Sequence, residues 1–108
     1  MLQFEKKGAK IYALNLPRGD NGELELFVSG YDLKAGDKII FKMGKDLNHP
    51  LIEKEITDFS GNYLAVSIFP DDTRTFSSGR YYYTVRLLKE NGNVDTLIEQ
   101  SDFILKEA

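Results

Sequence analysis

Only a few residues of this 108-residue chain could carry out chemistry, and they are sparse. There is one histidine, His49, and no cysteine. A His-rich metal site, a thiolate nucleophile, a thiolate metal site and a disulfide all need partners this inventory does not supply. His49 stands in Asn48-His49-Pro50, a turn signal, and reads as a turn residue. The acidic residues offer more. Asp71 and Asp72, joined by Asp32 or Asp37 from another loop, are the oxygen ligands a calcium ion would take from flexible loops, although turns capped by their own side chains account for the same residues. Arg18-Gly19-Asp20 has the form of an integrin-adhesion triplet, but three residues are poor evidence for adhesion and the triplet reads better as a turn between strands. The remaining carboxylates fall in turns and on water-facing strand positions, where nothing shifts their pKa values toward acid–base catalysis. No catalytic residue, cofactor or metal ligand is assigned, and no enzyme is expected.

The elements that hold these residues are short. Turn signals recur at Pro17-Arg18-Gly19-Asp20-Asn21-Gly22, Ser29-Gly30, Ala35-Gly36-Asp37, Asn48-His49-Pro50, Ser60-Gly61-Asn62, Ser77-Ser78-Gly79 and Asn91-Gly92. The strand-length pieces between them indicate a sandwich or barrel, not βαβ units. Because side chains on a strand alternate between faces, Leu24, Leu26 and Val28 point inward, as do Ile39, Phe41 and Met43, Leu64, Val66 and Ile68, and Tyr81, Tyr83, Val85 and Leu87. In Ile52-Glu53-Lys54-Glu55-Ile56, Lys54 shares the face of the two isoleucines. That is the pattern of an edge strand whose inward charge discourages pairing with another molecule and snorkels to water. Asn91-Gly92 predicts a two-residue hairpin. Ile11-Tyr12-Ala13-Leu14 and Phe103-Ile104-Leu105 are expected to be outer strands, with their faces undecided.

The segment Phe69–Leu88 carries the most information. Pro70, Asp72 and Thr73 stop one strand, with an aspartate expected to cap a single helical turn, and Gly79 permits re-entry into Tyr81-Tyr82-Tyr83. In two-sheet domains a chain crosses between sheets at such a corner and anchors the crossing with a buried tyrosine; Tyr81 or Tyr83 is expected to be that anchor. Its spacing and flanking turn favour structure over ligand binding.

Net charge is −3, with lysines scattered, so neither nucleic acid nor an anionic membrane is an expected partner. Composition is 42% hydrophobic and 29% charged, as in globular proteins, and the length fits one domain over residues 1–108. Met1–Glu5 does not open a signal peptide and no apolar run is long enough to span a bilayer, so synthesis in the cytoplasm without export is expected.

Taken in order, Arg18-Gly19-Asp20, Tyr31-Asp32-Leu33-Lys34-Ala35-Gly36-Asp37-Lys38-Ile39-Ile40-Phe41, Pro50 through Ile56, Pro70-Asp71-Asp72-Thr73, Gly79-Arg80-Tyr81-Tyr82-Tyr83, and Asn91-Gly92 with Thr96-Leu97-Ile98 form a pattern over nearly the whole chain. It resembles the N-terminal module of baseplate upper proteins, and related minor tail proteins, of phages and prophages of Gram-positive bacteria. The resemblance implies an all-β, antiparallel immunoglobulin-like sandwich of about seven or eight strands that assembles into a virion tail or baseplate, with protein partners and no catalytic residues. Members of that family often continue into a coiled coil or receptor-binding region.

Outward positions include Phe27, Ile40, Tyr63, Phe69, Tyr82 and Leu88. Phe27, Ile40, Tyr82 and Leu88 form the candidate interface. The sheet bearing Ile40, Tyr82 and Leu88, bordered by Lys38, Lys42 and Arg86, is expected to dock a tail subunit or another copy, unless a loop or terminal segment covers it. The competing expectation is an extracellular adhesion or carbohydrate-binding sandwich that uses loop aromatics against sugar rings.

Overall fold

The alternation of apolar and polar residues becomes two sheets facing each other across one core. A computed structural model describes residues 3–5 and 14–107. Among them are eight strands, β1 (Gln3–Glu5), β2 (Leu14–Pro17), β3 (Gly22–Ser29), β4 (Lys38–Gly44), β5 (Ile52–Ile56), β6 (Tyr63–Ile68), β7 (Gly79–Leu88) and β8 (Val94–Lys106), and one helical turn, α1 (Pro70–Thr73). The smaller sheet has the order β1-β3-β6 and the larger β2-β8-β7-β4-β5. This is an immunoglobulin-like arrangement in which a strand corresponding to C′ extends the larger sheet and, among the described residues, no fourth strand lies beside β6. No helix among the described residues is long and apolar enough to cross a membrane.

All thirteen side chains read as inward from β3, β4, β6 and β7 are buried, at 7% exposure or less. Ile52, Ile98, Phe103 and Leu105 join them. Phe41, Tyr83 and Phe103 form the aromatic centre: Phe41 and Tyr83 stack at 5.8 Å between centroids, and Phe103 meets Tyr83 edge-on at 6.2 Å.

The sandwich is not antiparallel throughout. β2 runs parallel to β8, pairing Leu14 with Phe103 and Leu16 with Leu105, whereas every other pairing is antiparallel. β2 is an outer strand that shares only Leu14 with the expected one, and Leu14 and Leu16 pack on the core. Residues 11–13 of that expected strand lie outside the described residues. Phe103-Ile104-Leu105 is not an outer strand: β8 lies between β2 and β7, and the undecided faces resolve with Phe103 and Leu105 inward.

β7 and β8 pair from Leu88 and Val94 onward, but the connection is longer than two residues. Gly92 N–H donates to Lys89 O and Lys89 N–H to Asn93 O, with Gly92 at φ 90°, a left-handed conformation that favours glycine. The loop is also held from outside. Asp37, 1% exposed, accepts hydrogen bonds from Glu90 N–H (3.0 Å), Lys34 N–H (3.1 Å) and the Tyr31 hydroxyl (2.9 Å). Burial alone would raise the pKa of this carboxyl; the donors around it, with the nearby Lys34 charge, outweigh burial and hold it below the ordinary aspartate value.

Candidate docking surface

At the corner, each residue of Pro70, Asp72, Thr73, Gly79, Tyr81 and Tyr83 has a distinct position. Pro70 opens α1, and the N-cap is Phe69, not an aspartate as the sequence suggested. Phenylalanine has no acceptor, so the cap works from the other side: Asp72, in the third helical position, reaches back to accept Phe69 N–H at 2.7 Å. The same carboxylate meets Lys54 Nζ at 2.8 Å. Partial burial pushes the Asp72 pKa up, and Lys54 with the Phe69 N–H more than offsets it, leaving the carboxyl below its ordinary value. The inward lysine of β5 is therefore an ion-pair partner that ties the edge of the larger sheet to the corner, as well as an edge charge. Thr73 is fully buried and its Oγ1 accepts Gly19 N–H at 2.9 Å. Gly79 has φ 144°, which L side chains rarely adopt.

The two tyrosines differ. The Tyr81 hydroxyl donates to Ser77 O at 2.8 Å, four residues upstream, which is the bond of a tyrosine corner. The Tyr83 hydroxyl is buried with no hydrogen-bond partner among the described residues, and burial pushes its pKa up to about 12. Tyr81 is thus the anchor and Tyr83 a core ring.

Arg18-Gly19-Asp20 is drawn into the same corner. Gly19 is bound to Thr73, and the Arg18 guanidinium donates to Phe76 O (3.2 Å) and meets Glu107 (3.3 Å). These contacts are those of a turn fastened between strands. The acidic residues proposed as calcium ligands are not brought together: Asp37 lies where β4 begins and β7 ends, whereas Asp71 and Asp72 lie before β7 begins, at the opposite end of the sandwich. Asp37 and Asp72 are also already committed to the donors described above, and Asp71 to Arg74 at 2.9 Å.

Among the four candidate interface residues, Ile40 and Leu88 come together on the outer face of the larger sheet. Ile40 pairs with Arg86 and Leu88 with Lys38, which makes the two apolar side chains diagonal neighbours. Val94 is opposite Leu88 and 53% exposed, adding a third. Tyr82 is on the same face but six residues along β7 from Leu88, roughly 20 Å away at the strand rise, with Thr84 and Arg86 between. Phe27 is not part of this surface. It lies on the outer face of the smaller sheet, across the core, where its ring meets Tyr63 at 4.7 Å. Alternation separates inward from outward positions but does not tell which of two outer faces a residue reaches.

Beside the apolar cluster the face is hollowed. Between Tyr83 and Arg86 the pairing with β8 slips twice, each time with an extra residue on β8, and the bulged strand bends. Thr84 is buried there and donates to Ile98 O at 2.8 Å. The resulting trough, about 420 Å³, is lined by Lys42, Asp46, Leu47, Arg86, Thr96, Glu99 and Gln100. Neither Lys42 nor Arg86 has an ion-pair partner among the described residues. Sequence reasoning missed the trough; its signal is the adjacent apolar pair Leu97-Ile98, followed by Glu99-Gln100-Ser101-Asp102, where alternation fails.

The chain matches no protein-family model, and no curated protein is significantly similar to it in sequence.

Proposed function

We propose that this domain is a non-enzymatic assembly module of a phage or prophage tail or baseplate, docking a partner subunit through the outer face of its larger sheet. One observation carries the proposal: Ile40, Leu88 and Val94 cluster beside a trough holding the Lys42 and Arg86 cations, on a sheet whose other face is the rigid core. An apolar centre supplies desolvated contact, and surrounding charges set orientation and partner choice. His49 supports the non-enzymatic reading, being exposed in the β4–β5 turn where its N–H closes onto Asp46 O. The resemblance to baseplate upper proteins supports the virion setting.

Carbohydrate binding would draw on Tyr63, 62% exposed and near Glu25. A sugar platform needs a free ring face, and the tilted contact with Phe27 covers part of that ring. Docking is favoured.

The test is incorporation into particles induced from a lysogen that carries the gene. The wild-type chain is expected in purified particles, and an Ile40→Asp/Leu88→Asp variant that folds normally is expected to be absent from them. Particles lacking the wild-type chain, or taking up the variant equally, would overturn the proposal.

A further inference from the structure

The four sheet edges are unequally protected. β5 carries Glu53-Lys54-Glu55, β2 is four residues long and ends in Pro17, and β1 is three residues long. Charge, proline and brevity each discourage a further strand. β6, Tyr63-Leu64-Ala65-Val66-Ser67-Ile68, has none of these guards and, among the described residues, pairs only with β3. In immunoglobulin domains another strand lies against the one corresponding to β6. Here residues 57–62 run from β5 into β6, and no strand is formed among them.

The pairing phase identifies the unfilled groups. Val28 N–H donates to Asn62 O at 3.0 Å, so the backbone groups of Leu64, Val66 and Ile68 face β3 and those of Tyr63, Ala65 and Ser67 face away. Tyr63 exchanges both its groups with Ser60 (3.0 and 2.8 Å), and Phe69 exchanges with Asp72 beyond the other end. The N–H and C=O of Ala65 and Ser67 are left on the open edge, between two blocked ends.

The neighbourhood selects what would fill it. Glu25 is opposite Ala65 and Glu23 opposite Ser67 on the outer face, and with Asp58 and Tyr63 they line a groove of about 560 Å³. None of the three carboxylates has an ion-pair partner among the described residues. A strand added to β6 would lie about 5 Å from it, and its outward side chains about 10 Å from the β3 glutamates. A lysine or arginine spans that gap across the small Ala65. Two copies paired edge to edge would instead bring two acidic grooves together, which like-charge repulsion opposes.

We propose that the β6 edge is a strand-addition site for an extended, lysine- or arginine-bearing segment of a partner protein, held by the backbone of Ala65 and Ser67 and oriented by Glu23, Glu25 and Asp58. This site is separate from the outer face of the larger sheet and stands without the virion reading.

The probe is a ten-residue peptide alternating lysine with valine or threonine, added to the full chain while amide hydrogen exchange is followed by NMR. Exchange at Ala65 and Ser67 is expected to slow by about tenfold or more, as amides enter hydrogen bonds. A peptide with glutamate in place of lysine, or with a central proline, is expected to leave exchange unchanged. Glu23→Gln with Glu25→Gln is expected to weaken binding by about tenfold, the loss of one to two partnered charges. Ala65→Pro removes one outward N–H at a position where an edge tolerates proline, and is expected to abolish binding. Should that variant not fold, the proline peptide on the unmodified chain makes the same test. Unslowed exchange at millimolar peptide, equal slowing by the proline or glutamate peptide, or peptide-free dimerisation that protects the same amides would each overturn the proposal.

Discussion

Replacing Tyr81 and Tyr83 by phenylalanine, one at a time, should move stability in opposite directions. Both rings are buried, and each substitution removes one hydroxyl while keeping the ring. At Tyr81 the lost group donates to Ser77 O at 2.8 Å. A neutral hydrogen bond of this kind contributes about 0.5–1.5 kcal/mol net, and Ser77 is exposed enough for water to replace part of it, so a loss of about 1 kcal/mol is expected. At Tyr83 the hydroxyl has no partner, and burying such a group costs about 1–3 kcal/mol. Removing it forfeits some packing around the vacated oxygen, which leaves a net gain of about 1 kcal/mol. The variants should therefore differ by about 2 kcal/mol, measured as urea midpoints with an unchanged slope. A second signature is alkaline. The folded-state pKa of Tyr83 is about 12 against 10.0 for the free group, so between these values the unfolded chain has lost a proton the folded chain retains. Stability then falls as pH rises through that window, by about 1.4 kcal/mol per unit from this group, and Tyr83→Phe should lack that slope. Destabilisation by Tyr83→Phe, or a neutral Tyr81→Phe, would refute the assignment of anchor and core ring.

Other perturbations address the ties between elements. Asp37→Ala leaves three donors, two from the loop that precedes it and one from the β7–β8 connection, without their carboxylate and should cost about 2–4 kcal/mol by urea unfolding, with faster amide exchange at Glu90. Lys54 and Asp72, at 25% and 23% exposure, should show a coupling of about 1 kcal/mol in a double-mutant cycle with Lys54→Met and Asp72→Asn. Asp37 and Asp72 both have lowered folded-state pKa values, so their contributions are complete above the unfolded value of 3.8 and are lost as pH falls below it; Asp72→Asn should flatten the acid arm of a stability–pH curve.

What the sequence reveals is what lies within one strand or one turn. Leu24, Leu26 and Val28 declare their face because period 2 is local, and the corner narrows its anchor to Tyr81 or Tyr83 because corner and anchor are only a few residues apart; the hydroxyl's partner, which decides between them, is not legible in the sequence. Contacts between distant segments are not legible in this way. Asp37 and Glu90 N–H are 53 residues apart, and nothing at either position marks the other. Lys54 reads as an edge guard because its partner Asp72 belongs to another element, and Phe27 falls into one set with Ile40 because an outward residue does not say which sheet it is on. The parallel pairing of β2 with β8 depends on how the chain changes sheets, not on the four residues of β2. The trough depends on register, which β8 loses twice near Leu97 and Glu99.

The docking surface is tested most directly by a photo-crosslinking side chain placed at Val94, next to Leu88 on the outer face, and compared with one at Asp71, exposed at the corner end. In assembled particles the Val94 position should form an adduct of discrete mass with a tail subunit, and Asp71 should form none. An adduct at Asp71 with Val94 silent would contradict the assignment of the larger sheet's outer face as the surface through which this domain works.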